Sequence, residues 1–237
     1  MTSLKNAVVF VTGSNGGLGR EFVKQFLERG ASKIYASTRT PREWDDPRIV
    51  PVVLDITSDE SVAAAVAQAT DVTIVVNNAG SYRADDSITG GDLNDIRDMF
   101  ETNFFGAVRV AREFAPVLGR NGGGALLDVH SALSWWGVAG AYSAAKAAMW
   151  SATNSFRLEL AGQGTHVEGL HLGYTDTPMI AELDVDKNDP ADVVRAAIDG
   201  IENNEYEVLV DDASRNIKAA LALPIEALYP DLPRQSA

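Results

Sequence analysis

Short runs of β-branched and other apolar residues alternate with amphipathic segments along most of the chain. We predict strands near residues 7–12, 33–37, 50–54, 72–76, 125–130, 165–171 and 206–210, and helices near 17–29, 58–69, 92–118, 142–161 and 190–203. The first helix is clear, because Leu18, Phe22 and Phe26 recur at four-residue spacing. Such alternation is typical of βαβ units around a parallel sheet. We therefore predict one α/β domain over residues 1–237, a three-layer α/β/α arrangement with a doubly wound sheet.

The amino-acid composition excludes several kinds of chemistry and argues against several classes of partner for this protein. The chain has no cysteine, which excludes disulfides, thiolate catalysis and Cys-ligated zinc. Three histidines lie in strand-like segments without ligand spacing, so we expect structural roles and no metal site for His130, His166 and His171. A net charge of −13 would repel nucleic acid and anionic membranes, and we expect neither as a partner. The N-terminal residues lack a secretory signal pattern, so we expect a cytoplasmic location.

A glycine-rich turn joins the first predicted strand to the first predicted helix, with the spacing Thr-Gly-x-x-x-Gly-x-Gly. Gly13 permits a sharp turn, Gly17 lets backbone N–H groups approach a pyrophosphate, and Gly19 allows close packing of helix and strand. The helix N-terminus favours an anion. We therefore predict a Rossmann-type dinucleotide site formed by Gly13, Ser14, Asn15, Gly17, Leu18 and Gly19.

The end of the second strand indicates which dinucleotide binds. An acidic residue at this point would hold the ribose hydroxyls of NAD, but the chain carries Thr38 and Arg39 instead. Arg39 can bind a 2′-phosphate through a forked, charge-assisted contact. We therefore predict NADP(H) as the preferred cofactor. The alternative is that Arg39 is only an exposed loop cation, as Arg42 is expected to be.

Two further turns are candidates for the adenosine side of the site. Asp55, followed by Ile56, ends the third strand and could accept a hydrogen bond from the adenine amino group. Its competing role is to cap the next helix, although Ser58 suits that role better. After the fourth strand comes a polar turn that could line the same side of the crevice, formed by Asn78, Ala79 and Gly80.

Tyr142 and Lys146 stand four residues apart, so a helix places both on one face. A free tyrosine has a pKa near 10, but an adjacent ammonium and a cationic nicotinamide would favour the phenolate. Ser131 follows a predicted strand and could donate to a substrate oxygen. Asn103 could orient a water. These four residues are the candidate catalytic group.

The combined motifs resemble the short-chain dehydrogenase/reductase family over about residues 6–177. By that resemblance Asn103 supports a proton relay and Ser131 positions the carbonyl. Tyr142 exchanges the proton, while Lys146 binds the nicotinamide ribose and lowers the tyrosine pKa. The resemblance implies hydride transfer between NADP(H) and a ketone, an aldehyde or a secondary alcohol, as in a carbonyl reductase.

The chain departs from the family pattern in two places. The interval between Ser131 and Tyr142 is short, which makes Ser134 a reserve candidate for the serine role. Leu172 stands where the family carries proline, before a segment expected to meet the nicotinamide amide and the phosphates through Gly173, Thr175 and Thr177.

The substrate side is expected to be open and apolar. The connection 178–189, where the family carries its lid, is short, and an open pocket accepting varied substrates would follow. Its apolar wall is expected to include Trp135, Trp136, Tyr174 and Met179. The paired tryptophans could equally serve packing or subunit contact.

Three questions stay open at this point. The helical segments 103–118 and 142–161 are apolar on more than one face, so we expect a homodimer or homotetramer, with intrachain burial as the alternative. A non-catalytic NADP-sensing regulatory protein is one alternative function. An isomerase or dehydratase of the extended branch of the family is another, although its glycine spacing differs.

Overall fold

Seven parallel strands form one sheet within residues 3–83 and 87–232, the ranges that the computed structural model describes. The strands are β1 (Val8–Thr12), β2 (Lys33–Thr38), β3 (Ile49–Val53), β4 (Ile74–Asn77), β5 (Ala125–Val129), β6 (His166–His171) and β7 (Glu207–Leu209). Their spatial order is β3-β2-β1-β4-β5-β6-β7. The chain winds outward from β1 in one direction and from β4 in the other, which leaves a crevice at the carboxyl ends of these two strands. The predicted doubly wound sheet is confirmed.

Helices cover both faces of the sheet. They are α1 (Gly17–Glu28), α2 (Asp59–Gln68), α3 (Leu93–Phe100), α4 (Gly106–Arg120), α5 (Gly140–Leu160), α6 (Pro190–Asn203), α7 (Asp212–Ala220) and α8 (Ile225–Leu228). Side chains alternate along β1, so Val9 and Val11 join the core under α1 and α6, while Phe10 joins the core under α2 and α4. Each such buried side chain contributes about 1.5–3 kcal/mol. The three-layer arrangement is confirmed.

Two helical predictions need correction. The segment predicted as a single helix, 92–118, contains one π-helical turn, Glu101–Phe105, between α3 and α4. The sequence analysis did not predict α7 and α8, which follow β7. The single domain predicted over residues 1–237 includes 1–2, 84–86 and 233–237, which lie outside the described residues, and it stays a prediction. Across the described ranges, no helix has the length and hydropathy needed to cross a membrane.

Candidate active site

A cleft of about 700 Å³ opens at the carboxyl ends of the central strands. Most of the residues that the sequence analysis selected line it: Gly13, Gly17, Leu18, Gly19, Thr38, Arg39, Asp55, Ile56, Asn78, Ala79, Gly80, Asn103, Ser131, Trp136, Tyr142, Lys146, Gly173, Tyr174, Thr175, Thr177 and Met179. Ser14, Asn15 and Trp135 were also selected, but their side chains have other positions.

The glycine turn, residues 12–19, depends on the absence of side chains at defined points. Gly13 has a φ of +67°, which an L side chain rarely adopts. A Cβ at Gly19 would lie 2.2 Å from the carbonyl oxygen of Gly13, so only glycine lets α1 start this close to β1. A Cβ at Gly17 would lie 2.6 Å from Cγ2 of Thr177. The turn therefore brings the N-terminus of α1 directly against a second loop of the cleft.

Ser14 and Asn15 brace this turn and do not line the cleft. Ser14 is fully buried, and its hydroxyl donates to the carbonyl oxygen of Ser37 at 3.2 Å. The side-chain amide of Asn15 donates to the carbonyl oxygen of Thr40 at 2.9 Å. Both bonds tie the end of β1 to the end of β2. Any direct contact of Ser14 and Asn15 with a cofactor is therefore expected from their backbone and not from their side chains.

The ends of β2 and β3 bring a cation and a carboxylate to one side of the cleft. Arg39 is exposed at the rim. Hydrogen bonds from the hydroxyl and the backbone N–H of Thr57 lower the pKa of Asp55, and the charge of Arg39 acts in the same direction. Ser58 caps α2 by accepting from the N–H of Ser61 at 3.2 Å. Asp55 therefore keeps an ionised carboxylate at the cleft, and Ser58 fills the capping role.

The turn after β4 is fixed to the end of β1. The backbone N–H groups of Asn78 and Ala79 both donate to the hydroxyl of Thr12 at 2.9 Å. The side-chain amide of Asn78 donates to the carbonyl oxygen of Thr12 at 2.8 Å. A Cβ at Gly80 would lie 2.8 Å from Oδ1 of Asn103, so this turn also reaches the catalytic candidates.

Asn103 lies in the π-helical turn, a local geometry that is frequent at functional sites. Its Nδ2 donates to the carbonyl oxygens of Ser81 at 3.0 Å and Met99 at 3.1 Å, and its Oδ1 accepts from the N–H of Ser81 at 3.1 Å. Both amide protons are used inside the protein, so the side chain mainly holds the loop at Ser81 in place. Only Oδ1 keeps a lone pair for a water.

Tyr142 and Lys146 project from the first two turns of α5 toward the end of β5. Burial is nearly complete, with exposures of 9% for Tyr142, 6% for Lys146 and 8% for Ser131. Ser131 lies beside the phenol and acts to lower its pKa, and its hydroxyl accepts from the N–H of Leu133 at 3.1 Å. Lys146 Nζ donates to the carbonyl oxygen of Val129 at 2.9 Å. The reserve candidate Ser134 is buried and does not line the cleft. The structure thus brings Ser131, and not Ser134, to the phenol.

Burial determines the protonation of this group. It raises the pKa of Tyr142 to about 12, although Ser131 acts in the opposite direction. It lowers the pKa of Lys146 to about 8, against the attraction of Asp128. The sequence analysis predicted that the lysine would lower the tyrosine pKa; in the protein alone, desolvation is the larger effect. Tyr142 is therefore a protonated phenol at neutral pH.

The substrate side of the cleft contains three of the four predicted wall residues. Trp136, Tyr174 and Met179 line it, but Trp135 is buried and its ring stacks on His171 at a centroid distance of 3.9 Å. Trp135 therefore packs in the interior, which corrects its assignment to the wall.

Other wall residues escaped the sequence analysis: Tyr82, Leu133 and Ile217. The ring of Tyr82 meets that of Tyr142 edge-on at 5.2 Å. Ile217 lies on α7, which was not predicted, so no sequence pattern pointed to it. Tyr82 comes two residues after the turn at Gly80, and that proximity was the available signal.

The cleft loop, residues 173–188, borders the cleft beside the glycine turn, where Thr177 lies against Gly17. Thr175, Thr177 and Met179 line the cleft from it, and the predicted short lid consists of one 3₁₀ turn, Pro178–Ile180, before α6 begins. Leu172, which replaces the expected proline, is buried, and its carbonyl oxygen accepts from the N–H of Ala132 at 2.8 Å. The chain therefore enters the loop firmly attached to the segment that carries Ser131.

A family model described as short chain dehydrogenase matches residues 7–188. The chain belongs to this family. The resemblance drawn from the motifs is confirmed.

Individual relatives show the same relationship. A short chain dehydrogenase from Burkholderia cenocepacia, solved in complex with NADP, is 34% identical with a TM-score of 0.91, covering 98% of this chain and 100% of that one. A short chain dehydrogenase/reductase from Burkholderia phymatum, in complex with NAD, has a TM-score of 0.82 at 20% identity, which shows the fold alone; coverage is 100% and 99%. The 3-hydroxyacyl-CoA dehydrogenase type-2 of Drosophila melanogaster is 31% identical, over 76% of this chain and 79% of that protein.

The cleft fits the nicotinamide dinucleotide that this family implies. The N-cap of α1 is Gly16, and the first turn of α1 carries no acidic side chain. Its N–H groups are therefore available to a diphosphate without a competing carboxylate. Arg39 and Asp55 follow β2 and β3, on one side of β1 in the sheet, and Tyr142 and Lys146 lie beside the end of β5, on the other side. Polar groups are thus present for both the adenosine half and the nicotinamide half of the dinucleotide.

Proposed function

We propose that this protein transfers a hydride between NADP(H) and a ketone, an aldehyde or a secondary alcohol. The observation that carries the proposal is the buried group of Ser131, Tyr142 and Lys146 in the same cleft as the uncapped N-terminus of α1. Oxidoreductase chemistry is a property of the family. The preference for NADP, the carbonyl substrates and the role of the tyrosine are the specific parts of the proposal.

The residues of the chain divide the work of a reduction. Bound NADPH supplies the hydride, which forms a C–H bond at the carbonyl carbon. Tyr142 gives its phenol proton to the carbonyl oxygen, and its raised pKa suits a proton donor at neutral pH. The hydroxyl of Ser131 holds that oxygen. Lys146 uses one N–H on Val129 and keeps two for a ribose hydroxyl, and its positive charge stabilises the phenolate that forms.

Arg39 supports the preference for NADP(H). It is exposed at the cleft rim, and its two neighbours, Thr38 and Thr40, carry no charge that could repel a 2′-phosphate. The Burkholderia cenocepacia relative, solved with NADP, agrees with this assignment, whereas the more distant Burkholderia phymatum protein was solved with NAD.

The substrate side supports a range of apolar carbonyl compounds. Its walls are mainly aromatic and aliphatic: Tyr82, Leu133, Trp136, Tyr174, Met179 and Ile217. Tyr174 and Met179 are each 48% exposed, so the mouth is open, as expected from the short segment 178–189. Small apolar or aromatic ketones and aldehydes match such a pocket better than strongly charged substrates.

Self-association as a homodimer or homotetramer belongs to the same proposal. Leu158 of α5 is 82% exposed and Phe105, beside α4, is 49% exposed, although much of both helices is buried within the chain. A second copy covering these side chains would remove apolar surface from water. Sedimentation equilibrium measures the mass in solution. We expect the mass of two or four chains, and the mass of one chain would contradict self-association. The cytoplasmic location stays an expectation.

A panel of ketones and aldehydes assayed with NADPH and with NADH tests the function. We expect turnover with NADPH, and a Tyr142→Phe variant should bind NADPH yet lose roughly 100- to 10,000-fold in kcat, because it removes the proton donor. Tyr206→Phe is the control, since Tyr206 is 64% exposed and lies outside the cleft. NADPH binding without turnover of any carbonyl would favour a sensing protein. A Tyr142→Phe variant with unchanged kcat would end the assignment.

A further inference from the structure

Asp211, at the start of α7, makes more hydrogen bonds than a helix cap requires. Its Oδ1 accepts from the N–H of Ser214 at 2.8 Å, which is the ordinary N-cap bond. Its Oδ2 accepts from the backbone N–H of Gly173 and from Nδ2 of Asn188, each at 2.6 Å. One carboxylate therefore bonds to the helix that it caps and to two positions that lie 38 and 23 residues away in sequence.

The two additional donors stand at the two ends of the cleft loop. Gly173 begins the loop and Asn188 ends it. The ends also bond to each other, because the N–H of Asn188 donates to the carbonyl oxygen of Tyr174 at 2.8 Å and the N–H of Asp176 donates to the carbonyl oxygen of Asn188 at 3.0 Å. Asp211 thus binds the base of a closed loop, and the side chains between these ends line the cleft.

The bond to Ser214 fixes the cleft loop relative to α7, which forms a second wall of the cleft. Asp211 caps α7, and Ala213 and Ile217 of α7 line the same cleft. Burial acts to raise the pKa of Asp211, but hydrogen bonds from Ser214, Gly173 and Asn188 outweigh it, and the pKa is lowered overall. The carboxylate is therefore ionised at neutral pH, when its bonds to the loop are charge-assisted and strong.

We propose that Asp211 is a positioning residue, which holds the cleft loop against α7 in the arrangement that receives the nicotinamide half of the cofactor. The proposal rests on the dehydrogenase function proposed above. Asp211 does not line the cleft and acts through its bonds to Gly173, to Asn188 and to the N-terminus of α7. Thr175 and Thr177 are the loop residues whose positions it sets.

An Asp211→Asn variant tests this with little change of shape. An amide offers one acceptor oxygen and replaces the other with a donor, so it cannot keep bonds to both Ser214 and the loop. We expect the KM for NADPH to rise roughly 10- to 100-fold, while kcat changes less, because ground-state binding is lost. Hydrogen exchange should accelerate in residues 173–188. Asn188→Ala, which removes one donor only, should show a smaller rise in KM.

Asp92→Asn is the matched control. Asp92 is the N-cap of α3, accepts from the N–H of Asn94 at 2.8 Å, and lies outside the cleft. This variant should leave KM unchanged. Unchanged KM and unchanged exchange in Asp211→Asn would overturn the proposal, as would an acceleration spread evenly over the whole chain. If the wild type failed to bind NADPH, the proposed function would fail, and exchange in residues 173–188 would still decide the anchoring role.

Discussion

The glycine turn and the cleft loop meet at Gly17 and Thr177 and line one cleft, but different interactions hold them. The turn is fixed by local backbone geometry, since Gly13 and Gly19 are six residues apart and no side chain fits between them. The loop is fixed by a carboxylate 38 residues beyond its first residue. The glycine turn therefore depends on the absence of side chains at Gly13 and Gly19, whereas the cleft loop depends on the negative charge of Asp211. Substitutions should therefore damage them in different ways.

The turn should fail on the addition of a single methyl group. In Gly19→Ala the new Cβ would lie 2.2 Å from a backbone oxygen, which has no rotamer by which to move away. We expect a loss of about 1–3 kcal/mol in the free energy of unfolding, despite the better helix propensity of alanine, and at least a 100-fold weaker NADPH affinity. Urea unfolding and NADPH titration measure the two quantities.

Gly162→Ala is the matched control for that substitution. A Cβ at Gly162 meets nothing within 4 Å, so stability and NADPH affinity should be unchanged. Equal effects of the two substitutions would mean that close packing is not what holds the glycine turn, and the contrast with the cleft loop would fail.

A charge at the rim should affect one cofactor and not the other. Arg39→Gln removes the guanidinium but keeps a polar side chain, so we expect kcat/KM with NADPH to fall about 10- to 100-fold and kcat/KM with NADH to stay the same. Arg42→Gln is the control, because Arg42 lies over the ring of Trp44 and outside the cleft. Equal losses with both cofactors would show that Arg39 shapes the site generally and does not select NADP.

The contrast also explains what the sequence could predict. Strand and helix periodicity is local and predicted the sheet, and the local spacing of Gly13, Gly17 and Gly19 predicted the turn before α1. The other predicted cleft residues came from the turns after the remaining strands, from the spacing of Tyr142 and Lys146 and from the family resemblance. Trp135 was misplaced because its stacking on His171 is a tertiary contact. Asp211 was missed because a capping aspartate has the same sequence pattern whether or not it also binds a distant loop.

A second carboxylate, Glu168, shows that hydrogen-bond donors decide whether a buried acid is ionised. Glu168 lies on β6, the strand that leads into the cleft loop, and is fully buried. Among the described residues neither of its oxygens has a hydrogen-bond partner, in contrast to those of Asp211. Burial therefore raises the pKa of Glu168 well above its usual value, with the charge of Glu205 acting in the same direction.

The sign of the resulting pH dependence follows from that raised pKa. The protonated acid favours the native state, so this contribution to stability is fully present below the unfolded pKa of about 4.3 and is lost as pH rises through the folded pKa. Glu168→Gln cannot ionise when the chain unfolds. We therefore expect the variant to gain stability over the wild type as pH rises, by about 1.4 kcal/mol for each unit by which folding raises the pKa.

Urea unfolding at several values between about pH 4 and pH 9 measures this difference. Glu159→Gln, an exposed change on α5, is the control. A constant difference for Glu168→Gln would mean that the buried carboxyl keeps an ordinary pKa. Strand β6 would then hold an ionised, buried carboxylate without hydrogen-bond donors. The three donors around Asp211 would in that case not be needed to keep its carboxylate ionised.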